Sequence, residues 1–273
     1  VRILALATVL LLAAAGCSGK TATTTGPTAA PATATATTAP GLLPNVTVVL
    51  PAGPSVTIEG CTNFGGVFPV PMAAAKAVLP DSLTPVPAAS DPQGGATLYV
   101  LALKCDGSSV DGASLGPALL AYEELAVTPD AAHAVKGISD YSVPLLFTAQ
   151  PEGLGQALAR LMLGKAGAGG LSWASTATGA ITAQGTLDGD GFTLAGQTVP
   201  TPPVGLPSGA FVLFGVQDKQ VKSVVNGTSQ HGTFVQAAVT LQGQGNAPLI
   251  GQAQPATRGF SVNGFTLHYA AVP

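Results

Sequence analysis

Charge is what this sequence has least of. Asp, Glu, Lys and Arg together make up 8% of its 273 residues, and the formal net charge is −3. The basic side chains form no cluster, so the electrostatic footprint of a nucleic-acid binder is missing. Aromatic residues are 5% of the chain, with a single tryptophan, Trp173, which is expected in the core. There are three cysteines and three histidines, all far apart and without a Cys-x-x-Cys pair. That pattern leaves a metal site without its usual ligand cluster, and no cofactor is indicated. Asp188-Gly189-Asp190 supplies too few oxygens for calcium and reads as a turn instead. A Gly-x-Ser-x-Gly elbow is absent, which removes the hydrolase type of serine nucleophile that depends on it. Beyond the first sixteen residues, no apolar run approaches the roughly 20 residues that a spanning helix requires.

Glycine and proline are plentiful, at 35 and 23 residues. Together with abundant Val, Thr and Ala they describe a β-rich, turn-rich fold. The chain divides into three parts by composition. Arg2 precedes an uncharged apolar run, Ile3 to Ala15, which the small residues Ala14-Ala15-Gly16 close. A basic start, a short apolar middle and a small-residue exit describe a secretory signal over residues 1–16. Residues 17–40 are almost wholly Thr, Ala, Pro, Gly and Ser, with Lys20 the only charge. Such a segment buries too little apolar surface to offset its ordering entropy, and reads as a tether. Residues 41–273 form the folded part, long enough for a sizeable core.

Period-2 alternation and β-branched content predict strands at Asn45–Leu50, Ser55–Glu59, Ala96–Lys104, Leu119–Thr128 and Tyr141–Ala149. Pro144 inside the last of these predicts an edge or a bulge. Further strands are expected at 171–177, 180–187, 191–196, 210–217, 220–225, 233–242 and 260–270. Turn signals stand at Asp188-Gly189, Asn226-Gly227 and Asn263-Gly264. Residues 61–68 read as irregular, and 198–208 as a Pro-rich loop. Pro71 to Leu79 predicts a helix, with Pro71 at its start and Pro80 stopping it. Gly153 to Leu163 predicts a second helix, with Leu154, Ala157, Leu158, Leu161 and Met162 on one stripe. The expected fold is therefore mostly β with two or more short helices. A single β-barrel or a strongly curled antiparallel sheet answers that description.

Within Leu119–Thr128, Tyr122, Glu124 and Ala126 share one face, while Ala121, Glu123 and Leu125 share the other. One glutamate must then point with the apolar set. Cys61 and Cys105 either pair as a disulfide or stand as two separate buried thiols, and the sequence leaves both open.

Two resemblances add to this reading. Leu12-Ala13-Ala14-Ala15-Gly16-Cys17 resembles the lipobox of bacterial lipoproteins. That resemblance implies cleavage before Cys17, a diacylglycerol thioether on its sulfur and a lipid anchor in the cell membrane, with the protein facing outside the cytoplasm. Pro69-Val70-Pro71, Leu79-Pro80-Asp81-Ser82-Leu83-Thr84-Pro85-Val86, the strand Ala96–Lys104, Gly116-Pro117, Tyr122-Glu123-Glu124-Leu125 and Gly164-Lys165 resemble, in that order, the acetoacetate decarboxylase-like family. The likeness implies a β-barrel or cone around a small-molecule pocket. It also implies a reactive lysine at Lys165, with Glu123 and Glu124 as pocket acids. Here Ala166 follows Lys165, where an adjacent second lysine would help to lower the amine's pKa. The expected function is therefore a membrane-tethered, non-catalytic β-barrel that binds a small apolar or carboxylate ligand. The alternatives are an exported lyase using a Schiff-base lysine, and a structural envelope module without ligand.

Overall fold

The computed structural model describes residues 53–89, 91, 94–162, 166–245, 247 and 249–272. The signal segment, Cys17, the tether, the strand expected at 45–50 and Lys165 lie outside the described residues. The elements run β1 (Val56–Val70), α1 (Met72–Val78), β2 (Leu83–Pro85), β3 (Ala96–Cys105), β4 (Gly107–Val110), β5 (Ala113–Ser114), β6 (Ala118–Pro129) and β7 (Tyr141–Gln150). Then come α2 (Glu152–Met162), β8 (Ala166–Ala168), β9 (Gly170–Ser175), β10 (Ala180–Leu187), β11 (Asp190–Thr198) and β12 (Val204–Leu206). The chain ends with β13 (Gly209–Gln217), β14 (Gln220–Gln230), β15 (Gly232–Gln244), a 3-10 turn at Ile250–Gln252, and β16 (Arg258–Ala271).

Pairing returns on itself. The path β1-β3-β6-β7-β13-β14-β16 closes through a long antiparallel ladder between β16 and β1. The β7–β13 link in this ring is brief and parallel. From β16 the sheet continues through β15, β11, β10 and β9, which leave the ring as an open extension. The fold is thus mostly β, with a curled mixed sheet that is part ring and part flap. Asp188 and Gly189 both take positive φ, 53° and 86°, which gives the β10–β11 hairpin its expected two-residue turn.

Tertiary contacts override two local signals. Residues 61–68, expected to be irregular, continue β1, because β3 on one side and β16 on the other satisfy their backbone groups. The irregularity is confined to bulges, with register slips at Ile58/Cys61 and Cys61/Thr62, and the φ of 72° at Gly264 lies in the opposing slip. Asn226-Gly227 lies inside β14 instead of forming a turn. Gly227 is needed there because the Phe211 ring of β13 occupies the space a Cβ would take. The bulge expected at Pro144 is present, as a register shift between Glu123 and Glu124. Pro144 nevertheless lies in an interior strand of the sheet, between β6 and β13.

Because both faces of the ring strands are covered, there are two cores. The inner one gathers Leu101, Leu103, Leu120, Tyr122 and Phe147 with the apolar stripe of α2. The outer one gathers Phe64, Phe68, Leu98, Leu125, Phe192 and Phe214, where α1 and the extension lie against the ring. Each fully buried Leu or Phe contributes about 1.5–3 kcal/mol. The extension approaches so closely that a Cβ on Gly185 would collide with the Cβ of Ala121. Trp173, half-buried on β9, packs against this outer core.

Candidate functional site

Cross-strand partners share a face, so the register specifies what each level of the ring interior holds. One level is Val262–Asn63–Leu103–Leu120–Ala149. The next is Phe260–Gly65–Leu101–Tyr122–Phe147, and the third is Arg258–Val67–Tyr99–Glu124–Pro144. The third level lies about six residues, roughly 20 Å, along β7 from the turn into α2. Helix α2 therefore packs at one end of the interior, while Arg258, Tyr99 and Glu124 form a polar row toward the other.

The polar row is built from four strands. Glu124 Oε2 accepts a hydrogen bond from Ser142 Oγ on β7 at 3.0 Å. The residue keeps some accessible surface, yet protein atoms crowd its carboxyl. Desolvation pushes its pKa up to about 8, the Ser142 hydrogen bond pulls the other way, and the Asp140 carboxylate adds to the rise. At neutral pH Glu124 is a carboxylic acid with a proton to donate. Tyr99 stands beside it, its phenol raised by burial and by Asp140 and Glu124, and lowered by Arg258. One level deeper, Tyr122 stacks on Phe147 with ring centroids 4.9 Å apart. The Tyr122 and Tyr269 phenols are both raised by burial and feel Glu124. Across the row, Arg258 Nη1 is buried and has no hydrogen-bond partner among the described residues. A buried guanidinium donor left unpaired is costly, and an incoming anion would relieve that cost.

Glu123 has a different setting. It shares the outer face with Val100 and Leu146, one register step from Ala121 and Thr148. It is 1% exposed, and neither of its oxygens has a hydrogen-bond partner among the described residues. Burial first, and the Asp190 carboxylate second, push its pKa up to about 8. The adjacent glutamates therefore serve opposite faces: Glu124 joins the interior row, and Glu123 lies beneath the extension. Cys61 and Cys105 do pair, bridging β1 and β3 with Cα atoms 4.0 Å apart. Both sulfurs belong to the inner core.

Sequence reasoning did not single out Arg258, Tyr99, Ser142 or Asp140. Arg258 carried one usable signal, since it is one of three arginines and stands in a long stretch without other charge. Its facing partners are distant in sequence and meet only through the ring.

A mostly-β ring with a polar row at one end of its interior defines the structural class. The solved structures that this chain resembles in fold include acetoacetate decarboxylase-like ones. It matches an acetoacetate decarboxylase-like enzyme from Sphingomonas wittichii RW1 at 11% identity, covering 85% of this chain and 100% of that one, with a TM-score of 0.54. It matches an acetoacetate decarboxylase at 13% identity, covering 81% and 88%, with a TM-score of 0.53. It also matches the acetoacetate decarboxylase of Legionella pneumophila at 11% identity, covering 84% and 91%, with a TM-score of 0.51. At these identities the likeness is one of fold, as the sequence resemblance implied. No protein-family model matches the chain, and no curated protein matches it in sequence.

Proposed function

We propose that the ring interior binds a small carboxylate and that the protein works outside the cytoplasm, held to the membrane by lipid on Cys17. The observation that carries the binding reading is the buried, unpaired Nη1 of Arg258 on the same row as the neutral carboxyl of Glu124. A ligand carboxylate would pair with Arg258. A keto or hydroxyl oxygen beside it would accept the Glu124 proton, and the tyrosine-lined interior would take its apolar end. The test is calorimetric titration of the full chain with short 2-hydroxy and 3-oxo carboxylates. Arg258→Gln should weaken binding by roughly ten- to hundredfold, the worth of one charge-assisted hydrogen bond. Binding should also weaken as pH rises through about 8, where Glu124 loses its proton. No binding across the series, or binding indifferent to Arg258, rules the reading out.

The fold favours a second reading, a lyase that forms a Schiff base on Lys165 with a 3-oxo acid. Borohydride added during the same titrations separates the two. A covalent adduct lost in Lys165→Ala supports the lyase, and reversible binding without adduct supports a binding protein. The lipid anchor rests on the lipobox-like stretch. The Cys61–Cys105 disulfide supports an oxidising compartment, where such bridges persist. Metabolic labelling with a tagged fatty acid should mark the protein and fail to mark Cys17→Ser.

A further inference from the structure

The joint where the extension lies on the ring contains a buried acid. Glu123 of β6 has Val100 and Leu146 beside it in register. Thr148 of β7 faces the same way one register step along, and it too is fully buried. Among the described residues, both oxygens of Glu123 and the hydroxyl of Thr148 have no hydrogen-bond partner. Buried polar groups are paired almost everywhere in folded proteins, so three such atoms in one contact make it a costly one to keep closed. The extension reaches the spot with glycines. A Cβ on Gly185 of β10 would collide with Ala121, and one on Gly169, just before β9, would meet the Thr148 hydroxyl and the Thr186 carbonyl.

Strands β9, β10 and β11 join the ring's ladder through β15 alone. Apolar packing of Ile181, Ala183, Phe192 and Leu194 holds their inner face against the ring. The charged groups around Glu123 are few. Strands β9 and β10 carry none, and Asp190 of β11 is a carboxylate that opposes ionisation of Glu123. Strand β7 presents Leu146 and Thr148. On β3 the one charge is Lys104, exposed and two register steps beyond Val100. An ionised Glu123 would therefore lose its hydration in the closed joint and regain it when the extension lifts. The ring can stay folded meanwhile, because its own ladder closes between β16 and β1 without the extension.

We infer that β9, β10 and β11 form a pH-operated flap, closed on the ring while Glu123 is protonated and released from it, with the ring intact, as Glu123 ionises. The direction follows from linkage. The carboxyl titrates at about 8 when covered and near its ordinary 4.5 when wet. Between those values the closed joint holds a proton that the open one gives up. The opening equilibrium therefore rises ~tenfold per pH unit across that window and is level on either side. Glu124 faces the interior row and stays covered when the flap lifts, so it adds nothing to this local step. Once open, Val100, Ala121 and Leu146 of the outer core meet water. The device is independent of any ligand in the ring interior.

The test is native-state hydrogen exchange of the full chain at several pH values between about 5 and 8, corrected for the intrinsic pH dependence of amide exchange. Amides of β9, β10 and β11 should be less protected than those of β1 and β3 in the ring, and their protection should fall ~tenfold per pH unit. In Glu123→Gln that fall should vanish from the extension. Ring amides, which exchange only when the whole fold opens, should keep a slope from Glu124. Glu123→Met, of similar length and without charge, is the second variant should the first misfold. Equal protection in extension and ring at every pH would show that the extension opens only with the whole fold, and would overturn the inference. So would extension protection that ignores pH, or that keeps its slope when Glu123 is replaced.

Discussion

Replacing Glu123 with glutamine is expected to stabilise the protein at alkaline pH and to leave it nearly unchanged in acid. The carboxyl titrates at about 8 in the folded chain, against an ordinary value of 4.5. Between those values the native state keeps a proton that the unfolded chain has released. Stability therefore falls as pH rises from about 4.5 to about 8, and is level above that. The full difference is about 5 kcal/mol at most, and water admitted on ionisation reduces it. Glutamine resembles the protonated acid in shape and leaves the same two positions without partners. The variant should thus match the wild type near pH 4 and exceed it by several kcal/mol near pH 9, in denaturant unfolding followed across pH. Glu124 has the same window with the same sign, so a smaller alkaline loss should persist in the variant. Equal pH profiles for variant and wild type would show that Glu123 ionises freely, and would contradict its burial beneath the extension.

Removing the disulfide is expected to have the second large effect. Cys61 and Cys105 are 44 residues apart, and closing a loop of that length lowers the entropy of the unfolded chain by about 4 kcal/mol. The loop holds most of β1, α1, β2 and β3, so the bridge ties the second strand of the inner core to the first. The Cys61→Ala, Cys105→Ala double variant should lose up to ~4 kcal/mol and unfold roughly 10 °C lower in a thermal scan. Both residues are nearly inaccessible, at 0% and 2% exposure. A reductant should accordingly leave the folded protein intact and act only once the fold opens. Rapid reduction under native conditions would contradict that burial.

The two glutamates show what local pattern could and could not say. Alternation across Leu119–Thr128 requires Glu123 and Glu124 to face opposite ways, and they do. It does not say that both faces are covered. That follows from the ring closing on one side and the extension folding back on the other, contacts made by residues sixty or more positions away. Both helices were legible, because the 3.6 period and the flanking prolines are local signals. The Asp188-Gly189 turn was legible for the same reason. Asn226-Gly227 carried an equally good turn signal and became strand, because a Phe211 ring requires a residue without a side chain beside it. Residues 61–68 carried no strand signal, and their two neighbouring strands imposed one.

By itself the sequence determined that the chain is β-rich, poor in charge and similar in element order to the decarboxylase fold. These properties are set by composition and short-range periodicity, which are present before any folding. The tertiary structure alone decided that Cys61 meets Cys105, that Arg258 shares a row with Glu124, and that Glu123 lies apart from both. Those are matters of strand register across a closed ring, and register is set by the simultaneous burial of two faces, which no single segment encodes.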